Sequence, residues 1–392
     1  MTPLLGYLGG VAAFWSLALL VALRTRRGGR WRIPADAPGP DGTPPRLAVI
    51  VPARNEADNV GPCVDAILAM DWPALHCFVL DDGSTDGTAE ALAAAAQRHP
   101  GRLTVLSGGG AALPAGWYGK PWACQRAAEA ALASRFAPEW LLFLDADVRV
   151  APGAARAALG YASREGLALL SGFGRLIMES AGEKLMQPVI AGMIISGNPL
   201  SRTNDPAKRR GPPIANGQFL LFRADAWREV GGHGAVRQNV LDDVGLATAV
   251  VGAGLRYHMV FMQGLFACRM YDSFAALWAG WTKNLFPGLG RSWLALLGVV
   301  GFTLLGTILP PLLLLGAPWL PLTQAEVLAA AAATAGVHGL RVYLDRTFQQ
   351  PAAWALTHIP ASVLLAALLV WSALRTSRGQ ATWKGRTLGG AS

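Results

Sequence analysis

Charged residues are scarce in this chain. They make up 15% of its 392 residues, whereas 52% are hydrophobic and the mean hydropathy is +0.33. Soluble domains usually carry about 25% charged residues. The composition therefore argues against an ordinary soluble enzyme and favours a protein that is partly embedded in a membrane.

Cysteine is also rare, and it follows no metal-binding pattern. The four cysteines form no C-x-x-C pair and have no regular spacing: Cys63, Cys77, Cys124 and Cys268. Such scattered residues predict unpaired thiols in a reducing compartment in preference to a zinc site.

Two nucleotide-related classes lack their motifs. No G-x-G-x-x-G follows the first predicted strand, where the chain reads VPARNEADN, which argues against a nicotinamide dehydrogenase. The net charge of +9 comes without a basic stripe interleaved with aromatics, so nucleic-acid binding is not expected. Many of the cations flank apolar runs instead, as they do beside a bilayer.

Long apolar runs are present near both ends. Residues 4–23 are long enough to span a bilayer, and arginines follow them, which predicts an anchor and basic flank (1–30) with its N-terminus outside. A linker rich in proline and glycine (31–45) comes next. Further runs, at 293–322, 325–344 and 352–374, predict a transmembrane region over 291–375 and a basic cytoplasmic tail over 376–392.

The basic tail constrains the number of crossings. With a cytoplasmic catalytic domain, a cytoplasmic tail requires an even number of C-terminal spans. Either the alanine-rich segment 325–344, which contains His338 and Arg341, does not span, or the 293–322 segment, broken at Pro310 and Pro311, forms a hairpin.

Between residues 46 and 290, apolar runs of strand length alternate with helical patterns. RLAVIVP, HCFVL, RLTVL, EWLLFLD and GLALLSG are the predicted strands. This alternation predicts an α/β domain with a mainly parallel sheet, in which ligands bind beyond the carboxyl ends of the strands.

Carboxylates cluster at those strand ends. Asp81 and Asp82 follow the second strand, and Asp145 and Asp147 follow a later one. Aspartates at strand ends can simply cap the next helix. Three of them at one sheet edge, Asp82, Asp145 and Asp147, would instead favour a divalent cation such as Mg²⁺ or Mn²⁺ bridged to a diphosphate.

A further acidic pair, Asp242 and Asp243, begins a helical pattern in NVLDDVGLATAV. Negative charge stabilises a helix N-terminus, which is one interpretation. The other is a general base that takes a proton from an acceptor hydroxyl.

Six segments together resemble the family 2 inverting glycosyltransferases. They are VPARNEADN, LDDGSTDGT, GKPWACQRA, FLDADV, ANGQFLLFR and LDDVGLA, and the resemblance covers roughly residues 46–290. Within that family the chain is similar to the membrane-bound bacterial branch that includes hopanoid-cluster-associated and carotenoid-acid glycosyltransferases. The resemblance implies a GT-A-like nucleotide-diphospho-sugar transferase domain that uses a nucleotide-sugar donor, Mg²⁺ or Mn²⁺, and a lipid acceptor.

The resemblance also implies a role for each matching position. Residues that would bind the donor are Pro52, Asn55, Glu56, Asp82, Lys120 and Asp145. The metal would be held by Asp145 and Asp147. The sugar and acceptor pocket would be shaped by Asn216, Gly217 and Gln218, and the catalytic pair would be Asp242 and Asp243, with Asp243 as the base.

Two departures from the family pattern bear on the product. The branch usually has Glu-Asp where this chain has Asp242-Asp243, and processive synthases carry Gln-x-x-Arg-Trp where it has GWTKN. The second departure favours the transfer of a single sugar over a processive polysaccharide synthase. A UDP-sugar is the expected donor. A catalytically silent membrane scaffold is a further alternative, which the full set of carboxylates disfavours.

An apolar stretch also interrupts the predicted catalytic domain. EKLMQPVIAGMIISGNPL, residues 183–200, is too short to span a bilayer. It is either a buried helix or a helix that lies in the membrane interface and guides the lipid acceptor.

Overall fold

The computed structural model describes residues 2–109, 113–380, 382–383 and 386–387. The chain divides into two compact units. One unit, which we call the sheet unit, comprises Trp31–Ile177 and Asn198–Met270. The other, the helical unit, comprises Met1–Arg30, Met178–Gly197 and Tyr271–Ser392.

The bounds of the elements are as follows. The helices are α1 (Pro3–Gly28), α2 (Ala57–Leu68), α3 (Thr88–Arg98), α4 (Gly119–Ala133), α5 (Ala154–Arg164), α6 (Ala181–Gly197), α7 (Leu200–Thr203), α8 (Ala224–Glu229), α9 (Asp242–Gly252), α10 (Phe274–Gly288), α11 (Trp293–Phe302), α12 (Leu309–Gly316), α13 (Gln324–Thr347) and α14 (His358–Ser377). The strands are β1 (Leu47–Ala53), β2 (Leu75–Asp81), β3 (Leu103–Ser107), β4 (Trp140–Leu144), β5 (Val148–Val150), β6 (Leu169–Phe173), β7 (Arg175–Leu176), β8 (Phe219–Arg223), β9 (Tyr257–Phe261), β10 (Phe266–Cys268), β11 (Thr382–Trp383) and β12 (Arg386–Thr387).

The sheet unit is built on seven strands in the order β3-β2-β1-β4-β8-β6-β9. Neighbouring strands are parallel except at β8, which runs antiparallel to both β4 and β6. This confirms the predicted α/β fold with a mainly parallel sheet. A smaller sheet pairs β10 with β5 and β7.

The central strands are buried on both faces. Val49 and Val51 of β1 belong to one hydrophobic cluster, and Ala48 and Ile50 belong to the cluster on the other face. Alternate side chains of a strand point to opposite faces. Helices must therefore cover both faces, which explains the continuous apolar runs in the sequence.

The strand register brings the predicted site residues to one edge of the sheet. Because β1 and β2 are parallel, Ala53 pairs with Asp81 at their carboxyl ends. The antiparallel pairing of Leu144 with Phe219 places the start of β8 beside the end of β4. The segment before β8 (Asn216–Gln218) and the segment after β4 (Asp145–Asp147) are therefore neighbours.

The helical unit contains the apolar runs. Of the helices in the described residues, four are long and apolar enough to cross a membrane: Pro3–Arg24, Trp293–Gly316, Gln324–Thr347 and Ala352–Ser377. Helix α6 belongs to this unit and packs against α10, α13 and α14. Its buried side chains include Met186 and Ile190, which share a cluster with Phe286 and Leu365.

The predicted alternative of a hairpin in the 293–322 segment is wrong. The segment Trp293–Gly316 is a continuous helical run and not a hairpin, with a π-helical segment, Thr303–Ile308, between α11 and α12. Pro310 and Pro311 lie in the first turn of α12, just after that segment. Pro310 has no N–H to offer the Gly306 carbonyl four residues earlier, but that carbonyl accepts from Trp15 Nε1 at 2.7 Å instead, so these prolines do not end the run.

A buried arginine of α13 joins two helices of this unit. Arg341 and Asp345 of α13 have fully buried side chains, and Arg341 Nε donates to Asp345 Oδ1 at 2.8 Å. Arg341 Nη2 also donates to the carbonyl of Lys184 in α6 at 2.8 Å. That carbonyl lies four residues before Pro188, which has no N–H to offer it. The guanidinium thus replaces the helical hydrogen bond that the proline removes.

Candidate active site

Some of the aspartates in the turn after β2 have a structural role. The Asp81 carboxylate accepts hydrogen bonds from the backbone N–H of Ser84, at 3.0 Å, and from its hydroxyl. Asp86 accepts from the N–H groups of Ala57 and Thr88 at the starts of α2 and α3. Two of the three aspartates in LDDGSTDGT therefore shape the loop.

Asp82 occupies a different environment. It is buried, and its N–H donates to the Ala53 carbonyl at 2.8 Å. Its carboxylate oxygen Oδ2 lies 3.9 Å from Arg54 Nη1, which also donates to the backbone carbonyls of Asp82 and Gly83. Arg54 was not predicted as a site residue, although it lies inside the VPARNEADN motif.

The other residues of that motif are fixed by hydrogen bonds to the same loop. Asn55 has a φ of 52°, accepts from the Thr85 N–H at 2.9 Å, and donates its own N–H to the Ser84 hydroxyl. The Glu56 N–H donates to Thr88 Oγ1 at 2.8 Å. The motif thus ties the end of β1 to the loop after β2.

Lys120 and Asp145 form an ion pair at the end of β4. Lys120 Nζ lies 2.6 Å from Asp145 Oδ1. Burial alone would lower the pKa of Lys120, but the carboxylates of Asp145 and Asp242 outweigh it and raise that pKa well above its usual value. Lys120 is therefore a permanent cation beside these carboxylates.

Asp147 is the second aspartate of FLDADV. Its Oδ1 is buried and has no hydrogen-bond partner among the described residues. Burial, with help from Asp145 and Glu56, raises its pKa to about 7. A carboxylate oxygen in this state is suited to a cation, because a bound cation would remove both the desolvation cost and the repulsion.

The expected three-carboxylate cluster is not found. Within the part of the chain that the structure describes, no three His, Cys, Asp or Glu side chains form a group that could hold a metal ion. Asp82 lies against Arg54, and Asp145 pairs with Lys120. Neighbouring cations therefore compensate these two carboxylates. This compensation by side chains, in place of a shared metal ion, was not predicted.

The turn before β8 is held tightly against the site. The Asn216 side chain donates to the Gly172 carbonyl at 3.0 Å and accepts from the Gln218 N–H at 3.2 Å. A Cβ atom on Gly217 would lie 3.1 Å from Lys120 Nζ and 3.5 Å from Asp243 Oδ2. Glycine therefore allows the backbone to approach both charged groups.

Asp243 is held in place from both sides. Its Oδ2 accepts from the Gly217 N–H at 2.8 Å, and its Oδ1 accepts from the Val244 N–H at 2.8 Å. Burial and the neighbouring Asp242 raise the pKa of Asp243 to about 6. The helix-start interpretation is thus correct for its position, and the raised pKa is also what a general base requires.

His233 lies near Lys120 and was not predicted as a site residue. It sits in a 3₁₀ turn, Gly232–Val236, just before α9, and its ring is buried. Burial and the nearby Lys120 lower its pKa to about 3. In the sequence His233 is one of six scattered histidines, and nothing in its spacing indicated a site.

A small cleft brings several of these groups together. Its lining includes Pro52, Lys120, Asp145, Gly217, His233 and Asp242. Asp243 reaches it through its bond to Gly217. The cleft thus joins residues from five separate sequence motifs at the carboxyl edge of the sheet, where an α/β fold binds ligands.

The fold and this edge define a glycosyltransferase. The model of the family "Glycosyltransferase like family 2" matches residues 44–279, and the chain belongs to that family. The match ends near the predicted limit of the resemblance at residue 290.

The relatives include carotenoid-acid glycosyltransferases. The chain is 28% identical over 265 residues to a 4,4'-diaponeurosporenoate glycosyltransferase of Staphylococcus aureus strain MRSA252, and 26% identical to the one of strain USA300. Each match covers 67% of this chain and 66% of the relative, so the matched region spans slightly less than two thirds of those proteins. This bears out the suspected bacterial branch.

A solved structure shares the fold over most of the chain. It is the mannosyltransferase PcManGT from Pyrobaculum calidifontis, in complex with GDP-Man and Mn²⁺. It is 21% identical, with a TM-score of 0.52, and the match covers 94% of this chain and 99% of that one. At this identity the likeness supports the GT-A-like fold.

Proposed function

We propose that this protein is a membrane-bound inverting glycosyltransferase that moves one sugar from a nucleotide-sugar donor to a lipid acceptor. The observation that carries the proposal is the placement of Asp243. A buried carboxylate with a pKa raised to about 6 is held by two backbone N–H groups beside the Lys120–Asp145 pair. A base and a phosphate-binding cation are thus adjacent.

In the proposed reaction Asp243 takes the proton of an acceptor hydroxyl, and the acceptor oxygen attacks the anomeric carbon. The bond from that carbon to the diphosphate breaks, and the nucleoside diphosphate leaves. Lys120 lies beside Asp145 at the carboxyl edge of the sheet, where its charge would stabilise the leaving phosphates. A single displacement of this kind inverts the anomeric configuration.

In this proposal Asp145 and Asp147 would hold a divalent cation. The buried, unpartnered Oδ1 of Asp147 is the observation that supports this assignment. Mg²⁺ uses only one or two protein carboxylates when substrate phosphates supply further ligands, so the lack of a three-residue group is compatible with it. When bound, the ion would neutralise charge on the leaving diphosphate.

The proposed donor is a nucleotide sugar, and a UDP-sugar is the first candidate. Pro52, Asn55, Glu56 and Asp82 would line the nucleotide pocket. The test is titration calorimetry of the full chain in nanodiscs with UDP and with GDP, each with and without Mn²⁺. Binding of one nucleotide that is strengthened by Mn²⁺ supports the proposal. Absence of binding by both nucleotides contradicts it.

The acceptor is proposed to be a lipid of hopanoid or carotenoid type that offers a hydroxyl or a carboxyl group. The helical unit, with four helices apolar enough to cross a membrane, and the carotenoid-acid relatives support a lipid. The chain has GWTKN where processive synthases have Gln-x-x-Arg-Trp, which supports single transfer. Mass spectrometry of lipids from cells with and without the gene would identify the product.

We further propose that the sheet unit and the C-terminal tail face the cytoplasm of an inner-membrane protein. Since Trp293–Gly316 forms no hairpin, one of the three apolar C-terminal helices must then cross incompletely. Helix α13, with buried Arg341 and Asp345, is the one that we expect to do so. A reporter enzyme fused after Ser392 should be active only in the cytoplasm, and activity only outside it would contradict this topology.

The pH dependence of transfer should follow Asp243. Because its pKa is raised to about 6, the carboxylate is protonated below that pH and cannot act as a base. For a hydroxyl acceptor, kcat/KM should therefore rise with pH to a plateau, with a midpoint near pH 6. A pH-independent rate between pH 5 and 7 would contradict the assignment for that acceptor.

Helix α6 is expected to guide the acceptor. Met193 and Ile194 are half-buried and pack against the hydrophobic cluster in which Met186 and Ile190 are fully buried, so part of each side chain remains accessible. Met193→Asp or Ile194→Asp should weaken transfer to lipid much more than donor binding or donor hydrolysis. The buried Ile190→Ala is the packing control. Equal loss of all three activities would indicate a purely structural helix, and unchanged lipid transfer would contradict acceptor guidance.

A further inference from the structure

The hydrogen bond between Trp227 and His233 fixes the protonation state of the histidine. Trp227 Nε1 lies 3.3 Å from His233 Nδ1, and both side chains are buried. An indole nitrogen can only donate, so Nδ1 must accept. The ring is therefore neutral and carries its proton on Nε2, since a protonated ring would present a second donor to the indole.

This geometry excludes some roles for His233 and leaves one. Nε2 already holds a proton, and Nδ1 is occupied, so the ring cannot act as a base. The lowered pKa agrees with this neutral state. His233 is one of the residues that line the cleft, and its Nε2–H is the single donor that the bond to Trp227 leaves on the ring.

Asp242 supplies the complementary group. It lines the same cleft, is 6% exposed, and its buried Oδ2 has no hydrogen-bond partner among the described residues. A buried carboxylate oxygen without a donor is costly, which indicates that a ligand completes it. The cleft thus contains a fixed donor and an unfilled acceptor.

The pairing of a donor with an acceptor selects the ligand chemistry. A phosphate oxygen only accepts hydrogen bonds and would be repelled by Asp242. A sugar hydroxyl both donates and accepts, so it is the group whose chemistry matches a donor and an acceptor at once. We propose that His233 and Asp242 form a subsite that recognises one hydroxyl group of the transferred sugar and so determines donor specificity. This inference rests on the proposed function and names part of its substrate recognition.

The test uses the full chain in nanodiscs with UDP-glucose and GDP-mannose, and then with the 2-, 3-, 4- and 6-deoxy analogues of whichever donor is turned over. The readout is release of the nucleoside diphosphate. The wild type should use one deoxy analogue about 10- to 100-fold less well than the parent, as expected when a buried polar group loses its partner.

Three variants separate recognition from structure. His233→Phe and Asp242→Asn should each lower kcat/KM for the parent donor but not for that one analogue, so that discrimination at this position disappears. His233→Gln keeps an N–H donor and should retain part of the discrimination. His76→Phe, which changes a histidine outside the cleft, is the matched control and should leave the whole series unchanged.

The outcomes distinguish failure of the His233–Asp242 subsite from failure of the proposed glycosyltransferase function. Uniform loss across all analogues would show that His233 is only structural, and unchanged discrimination would show that neither residue reads a hydroxyl. Either result overturns this inference while leaving the glycosyltransferase proposal intact. If His233→Phe does not fold, Asp242→Asn against the same analogues decides. If the wild type turns over neither donor, the proposed donor class fails, and the inference fails with it.

Discussion

Replacing Asp243 by asparagine should reduce transfer to a hydroxyl acceptor by about 10²- to 10⁴-fold, the usual contribution of a general base. Donor binding should persist, because the amide keeps the shape of the side chain and can still accept from the Gly217 N–H, as the carboxylate does at 2.8 Å. The measurement is kcat for transfer alongside calorimetric binding of the donor nucleotide.

Asp225→Asn provides the matched control for this experiment. Asp225 lies in the first turn of α8, as Asp243 does in α9, but it is exposed and pairs with Arg223. The control should keep full activity. A collapse of donor affinity in Asp243→Asn would contradict its role as base. A small loss with a carboxyl acceptor would agree with it, since an ionised acceptor needs no base.

Replacing Asp147 by asparagine should remove metal-dependent turnover while leaving the fold intact. The substitution hardly changes shape, but it removes the charge that a cation would bind at the unpartnered Oδ1. We also expect no loss of stability, since burial raises the pKa of Asp147 and so makes its ionised form unfavourable without a cation. Activity should be titrated against Mn²⁺, and unfolding followed by thermal melting.

The exposed Asp71→Asn is the control for that variant and should behave as the wild type. Near-normal activity of Asp147→Asn would contradict the proposed metal site. Full activity of the wild type in excess EDTA would do so as well. A lower melting temperature of the metal-free variant would show that the carboxylate has a structural role instead.

The sequence predicted the fold because its signals are periodic. Buried strands such as β1 and β4 appear as uninterrupted apolar runs, and their alternation with helices leaves a parallel sheet as the simplest solution. The position of the site followed from the same argument, since parallel strands place their carboxyl ends at one edge. Asp82, Asp145 and Asp147 were placed at this edge by that argument, whereas Gly217 and Asp243 were assigned to the site only through the family resemblance, because β8 runs antiparallel to its neighbours.

The pairing of charges at the site was not predictable. Arg54 and Lys120 compensate Asp82 and Asp145 through contacts between residues that are about 25 positions apart, and no local pattern encodes such distances. His233 was missed because its role depends on Trp227, whose indole fixes the proton on the ring. The grouping of α6 with the helical unit also depends on tertiary packing and not on its own composition.

The contact between α6 and α13 has a consequence for biogenesis. Arg341 and Asp345 lie one turn apart in α13, and their opposite charges compensate each other within that helix. Lys184 of α6 precedes Arg341 by 157 residues. Its carbonyl therefore has no guanidinium partner until α13 has been synthesised. The docking of α6 onto α13 is therefore a late event, because it cannot begin before α13 has been synthesised.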